Sequence, residues 1–139
     1  MTPRSLRILL LAGDASLHEA LGAMLRQAAE PGMETESSDS VEAGLHRLAS
    51  EPFDALLLDP VFPEEPKTFA LVEVHSHFRW LPVVVLVSRK EEALGQWSLR
   101  AGASEYLLKD TLTPELLCSA LRLAIERNVC AEPPQLLQL

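Results

Sequence analysis

The chain has 139 residues, enough for one domain with one sizeable core. A hydrophobic content of 47% excludes a disordered chain, and a formal charge of −8 argues against a phosphate-backbone binder, which carries a basic face. That charge suits a protein partner or a cation site and selects neither.

The first aliphatic run, Arg7 to Ala12, is far too short to cross a bilayer, and no tripartite leader precedes it. A helix is predicted from about Ser16, where Ser16-x-x-Glu19 reads as a capping box and Leu17, Leu21, Met24 and Leu25 recur at helical spacing. Pro31-Gly32 breaks that pattern, and Met33 to Ser37 reads as a short, polar edge strand. Asp39-x-x-Glu42 is the predicted cap of a second helix to about Ser50, with Val41, Leu45 and Leu48 inward. Phe53 to Leu58 is the strongest strand, an unbroken run of buried-strand length.

A loop carrying Pro60, Pro63 and Pro66 leads to a third helix through about Phe78. Val83 to Val87 is a second buried strand. Glu91 to Ala101 is helical, Gly102 ends it, and Glu105 to Leu108 makes a fifth strand. Thr113-Pro114-Glu115 supplies an N-cap, a first-turn proline and a first-turn acid for a last helix reaching about Asn128. Cys118 and Cys130 have neither disulfide-framework nor zinc spacing, so reduced thiols of a cytoplasmic protein are expected, Cys118 as a packed helix residue. The domain is placed at residues 1–130. The tail 131–139, with two prolines and no periodicity, reads as a linker stub, a disordered end or a partner-binding peptide.

Five strands alternating with five helices imply an α/β domain, a doubly wound parallel sheet covered on both faces. Ligands of such sheets sit at the carboxyl ends of the strands. The positions to examine are therefore Ala12, Gly13 and Asp14; Asp59; Val87 and Ser88; and Lys109 and Asp110.

These segments carry a specific resemblance. Phe53-Asp-Ala-Leu-Leu-Leu-Asp59-Pro-Val-Phe-Pro63 resembles the phosphoacceptor strand of two-component receiver domains, with an aspartate ending the strand and a proline four positions on. Leu81 to Ser88 and Ala101 to Lys109 are similar to the family's fourth and fifth strands, and Ala120 to Arg127 to its last helix. The likeness covers roughly residues 5 to 128. It implies the flavodoxin-like receiver fold, strand order 2-1-3-4-5, and a signalling module of a phosphorelay rather than an enzyme. Histidine kinases and output proteins are the partners it implies.

By that resemblance Asp59 is the candidate phosphoacceptor and Lys109 the residue that contacts the phosphoryl group. The family's Mg²⁺ is held by the acceptor, by two acids ending the first strand, and by the backbone carbonyl two positions past the acceptor, here Val61. The acidic pair falls on Ala12 and Gly13, so it is lost, and only Asp14, one position on, could reach the pocket. The switch hydroxyl falls on Val87, which has no donor; Ser88 is adjacent but points elsewhere by strand alternation. Tyr106 occupies the position of the family's switch-sensing aromatic. Mg²⁺ binding is therefore expected to be weak, and phosphorylation of Asp59 weak or absent.

Structural readings stand beside these. Asp59 alone could cap a turn or pair with Lys109, Ser16 is a cap rather than a nucleophile, and His75 and His77 alternate on a helix and share no face. Leu116, Leu117, Ala120, Leu121, Leu123, Ala124 and Ile125 make the last helix apolar over more than one stripe, which fits either deep burial or a contact face for a homodimer or partner. Three functions compete: a regulatory interaction module of pseudo-receiver type, a conventional receiver phosphorylated on Asp59 by a histidine kinase with Mg²⁺, and a flavodoxin-like cofactor binder. The last needs a phosphate loop after the first strand, and Asp14 in Gly13-Asp14-Ala15-Ser16 would repel the phosphate.

Overall fold

The computed structural model describes residues 6–28 and 33–130. Strands β1 (Leu6–Leu11), β2 (Met33–Ser38), β3 (Ala55–Leu58), β4 (Val83–Val87) and β5 (Glu105–Leu108) alternate with helices α1 (Ala15–Ala28), α2 (Val41–Ser50), α3 (Phe69–His77), α4 (Glu92–Arg100) and α5 (Pro114–Cys130). All strand pairs are parallel and the order is β2-β1-β3-β4-β5, as expected. The break expected at Pro31-Gly32 and the tail 131–139 lie outside the described residues. No helix of the described residues is long and apolar enough to cross a membrane.

Because side chains alternate along a strand, each aliphatic run feeds two cores. Ile8, Leu10, Leu57, Val84 and Leu86 pack with Leu21 and Leu25 of α1 and Leu117 and Leu121 of α5. Leu9, Leu11, Leu56, Leu58, Val85 and Val87 face the other way, onto Val41 and Leu48 of α2 and Leu71 and Val74 of α3. Central strands buried on both faces must be aliphatic throughout, which is why Ala55–Leu58 and Val83–Val87 carry no polar residue. Edge strand β2 is free to be Met-Glu-Thr-Glu-Ser-Ser.

Several predicted boundaries shift. The α1 cap is Asp14, not Ser16: its Oδ1 accepts from Ser16 N–H at 2.9 Å and Ser16 Oγ–H at 2.7 Å, and its carbonyl takes the first helical bonds. Ser40, not Asp39, caps α2, its Oγ accepting from Ala43 N–H at 3.1 Å. β3 starts at Ala55 rather than Phe53, because the two preceding side chains serve Arg7. The Arg7 guanidinium lies 4.6 Å from the Phe53 ring centroid, and the Arg7 amide donates to Asp54 Oδ2 at 2.8 Å. A single 3₁₀ turn over Arg89–Glu91 precedes α4, and α5 runs on to Cys130. Thr113 caps α5 as predicted, accepting from Leu116 N–H at 3.1 Å. Cys118 is buried and free.

Gly102 stops α4 at φ +117°, a conformation that favours glycine, and an added Cβ would lie 2.6 Å from the His75 ring. His75 is thus packed over the α4–β5 turn. Among the described residues no cluster of three His, Cys, Asp or Glu could hold a metal ion.

At the amino end of the sheet, Glu51 accepts from Arg47 Nε at 2.9 Å and Arg7 Nη2 at 2.9 Å. These hydrogen bonds, Arg47 foremost, pull the Glu51 carboxyl down from 4.5 to about 2. A depressed folded-state value stabilises the domain above the unfolded value and is lost as pH falls toward the folded one. Thermal melts should therefore lose stability between about pH 4.5 and 2. Glu51→Gln should flatten that limb, and an unchanged slope would show that the network contributes nothing.

Candidate functional site

The site forms where β1, β3, β4 and β5 end together. Asp59 follows β3 directly, and its amide donates to the Leu11 carbonyl at 2.9 Å, so the end of β3 is pinned to the end of β1. The Asp59 side chain is 7% exposed. Oδ2 accepts from Lys109 Nζ at 2.6 Å and Oδ1 from the Val61 amide at 3.0 Å. Both oxygens are therefore engaged. Lys109 follows β5, and since β4 lies between β3 and β5, its side chain crosses the end of β4 to reach Asp59.

Ala12 and Gly13 follow β1. The Ala12 carbonyl accepts a hydrogen bond from His18 Nε2 at 2.8 Å, since a carbonyl cannot donate and that ring nitrogen must carry the proton. A Cβ at Gly13 would lie 3.5 Å from the Val61 carbonyl oxygen and 3.4 Å from Phe62 Cδ1, so that carbonyl borders the Gly13 turn and a side chain there would fit. Asp14 is committed to Ser16; those hydrogen bonds lower its carboxyl pKa, side chain first and backbone second, with Lys109 contributing last. Its proximity to Lys109 puts it at the margin of the site, as a helix cap.

These donors do not suit Mg²⁺. The ion wants near-octahedral oxygen ligands and sheds water reluctantly. Asp59 already accepts from Lys109 and the Val61 amide, Ala12 and Gly13 bring no side-chain oxygen to the end of β1, and Asp14 is turned to its own helix. The Val61 carbonyl remains as a neutral donor.

Val87 ends β4, buried at 1% exposure and paired with Leu108. Ser88 is half-buried, and its side chain makes no cap bond to the 3₁₀ turn that follows. Asp110 instead ties the two neighbouring ends together, accepting from Arg89 N–H at 3.0 Å. An ion pair between Lys67 and Glu91 joins the β3–α3 loop to the start of α4.

Tyr106 lies flat against α4. Its Oη donates to Glu92 Oε2 at 2.9 Å, and this bond, ahead of burial, raises the phenol pKa. A Cβ on Gly95 would sit 2.5 Å from the tyrosine ring, so the glycine makes the room. Glu92, Gly95 and His18 were missed from sequence. A glycine within a helical pattern is the one signal that could have flagged this close approach.

No protein-family profile matches the chain. Over 78 residues, 56% of this chain, it is 32% identical to the regulatory protein AtoC of Escherichia coli (strain K12), and it spans 17% of that protein's length. A sensor protein from Polaromonas sp. JS666 is 26% identical, with a TM-score of 0.76 over 91% of this chain and 99% of that one. A response regulator receiver domain protein from Clostridium thermocellum is 21% identical, with a TM-score of 0.80 over 91% and 99%. Full-length FixJ from B. japonicum is 19% identical, with a TM-score of 0.80 over 93% of this chain and 62% of that one. The chain thus shares its fold with solved receiver domains, and over 78 residues it is similar in sequence to a regulatory protein of which it spans a small part.

Proposed function

We propose that this chain is a receiver domain acting as a regulatory protein-interaction module in which phosphorylation of Asp59 is weak or absent. One observation carries the reading: the Asp59 carboxylate already has a fixed cation, Lys109 at 2.6 Å, and among the described residues it belongs to no group of three His, Cys, Asp or Glu that could hold a metal ion. Phosphoryl transfer to an anionic nucleophile rests on positioning and charge neutralisation, and a lone lysine supplies only part of that charge. With Val87 in place of a hydroxyl, a phosphoryl group would also lack the contact that draws the switch aromatic inward. Tyr106 is instead tethered outward to Glu92.

The contact face is the last helix. Leu117 and Leu121 are fully buried, whereas Leu116 and Leu123, seven residues apart on one stripe, are 42% and 52% exposed. We assign this stripe to a second copy or to an output or kinase partner.

A second reading, the conventional receiver phosphorylated by a histidine kinase, is favoured by the Val61 carbonyl bordering Gly13. Sedimentation with and without acetyl phosphate and Mg²⁺ separates the two. Self-association is expected to be the same for wild type and Asp59→Asn, and weaker for Leu123→Glu. Association that appears only after acetyl phosphate, and is lost in Asp59→Asn, would establish the conventional receiver. A strict monomer throughout would leave the stripe to a different protein.

A further inference from the structure

Three ties from three different segments converge on four consecutive residues at the start of α4. The Arg89 amide donates to Asp110 Oδ1 at 3.0 Å, from the 3₁₀ turn Lys109–Thr111 that follows β5. Glu91 takes the ion pair from Lys67 of the β3–α3 loop. Glu92 Oε2 accepts from Oη of Tyr106, on β5 itself, at 2.9 Å. Between these points the backbone closes on itself. The Glu91 amide donates to the Ser88 carbonyl at 2.9 Å, and the Glu92 amide to the Arg89 carbonyl. A shift of any one of the tied residues therefore moves the other two ties.

Asp110 has a particular place among them. The first amides of a helical turn have no carbonyl within the turn to bond, and side-chain oxygens commonly satisfy them. Ser88 stands where such a cap belongs, yet its side chain makes no cap bond. The carboxylate of Asp110 serves the turn instead, from 21 positions along the chain. Lys109 and Asp110 thus act as a pair of opposite charges in one short turn, the first reaching Asp59 after β3 and the second reaching Arg89 after β4.

We propose that Asp110 is the cap of the Arg89–Glu91 turn and, with Lys67, forms a clamp that fixes the start of α4 and keeps Tyr106 seated outward against it. The seat of the tyrosine belongs to α4. Glu92 and Gln96, four apart on the helix, both hydrogen-bond the phenol, and Gly95 leaves room for the ring. Holding the first turn of α4 therefore holds Tyr106. None of the three ties passes through Asp59, so the clamp sets the tyrosine's position whether or not Asp59 is phosphorylated. Asp110 and Lys67 are both exposed. A charged partner that competes for either one opens the clamp from the surface and frees Tyr106 without breaching the core of the sheet.

Amide exchange and the ring resonances of Tyr106, the chain's single tyrosine, read the clamp in one NMR sample of the full chain. In Asp110→Ala the Arg89 and Glu92 amides should exchange at least about fivefold faster, and the Tyr106 ring resonances should shift, while the β3 and β4 amides stay protected. Asp110→Asn keeps a side-chain oxygen as acceptor and should restore both readouts. Lys67→Ala, in an exposed loop, should loosen Glu92 and shift Tyr106 with Arg89 still protected. Wild-type exchange at Arg89 and Glu92 in Asp110→Ala would overturn the proposal, as would an Asp110→Asn variant as loose as Asp110→Ala. A Tyr106 ring that stays unmoved once Arg89 is freed would overturn it too. If Asp110→Ala fails to fold, an unmoved Tyr106 in Lys67→Ala is enough to reject the clamp.

Discussion

Replacing Lys109 alone should destabilise the domain more than replacing Lys109 and Asp59 together. Lys109→Met leaves the Asp59 carboxylate, 7% exposed, with only the Val61 amide as partner. Stranding one charge of a fully buried pair costs about 3–5 kcal/mol. Lys109 is 34% exposed and water reaches it, so we expect about 2 kcal/mol here. Lys109→Met/Asp59→Asn removes the desolvated charge along with its partner, and the neutral amide still accepts from Val61, so the loss should be smaller. A urea-unfolding double-mutant cycle measures the difference. Additive effects of the two substitutions would show that the ion pair is not a structural element of the resting domain.

The second large effect is a gain. Ala12→Asp/Gly13→Asp places two carboxylates at the end of β1, beside Asp59 and the Val61 carbonyl. The Gly13 position accepts a side chain without displacing neighbours, because its added Cβ would meet only ordinary contacts at 3.4 Å and beyond. Without metal, three acids around one lysine repel, so the variant should melt below wild type. Mg²⁺ relieves that repulsion and should bind at least about tenfold more tightly than to wild type. Since the ion binds only the folded state, the melting temperature of the variant should climb with Mg²⁺ while that of wild type stays nearly constant. No Mg²⁺-dependent stabilisation in the variant would place the first strand in a different register from the one described.

Much of the fold was legible because burial on two faces demands unbroken aliphatic runs, and Leu56–Leu58 and Val83–Val87 have no other use. The meeting of Asp59 and Lys109 was legible for the same reason, since both directly follow such runs. The caps were less so. Asp14 and Ser16 lie two apart, both can cap, and the choice rests on where the chain leaves β1, which local pattern does not encode. Ser40 over Asp39 is the same ambiguity. The Arg7–Phe53–Asp54 contact that delays β3 joins residues more than forty positions apart, beyond any periodicity argument. His18 on the Ala12 carbonyl and Glu92 on Tyr106 are likewise contacts that appear only once helices are packed on the sheet. That Ala12, Gly13 and Val87 carry no carboxylate or hydroxyl, by contrast, is readable at once, because an absent group needs no geometry.

On the function proposed above, Asp59 is held by Lys109 in a site that assembles no metal centre. Intact mass after incubation with acetyl phosphate and Mg²⁺ tests it most directly. A spectrum dominated by unmodified protein is expected, indistinguishable between wild type and Asp59→Asn. A major species carrying one phosphoryl group, present in wild type and absent in Asp59→Asn, would contradict it.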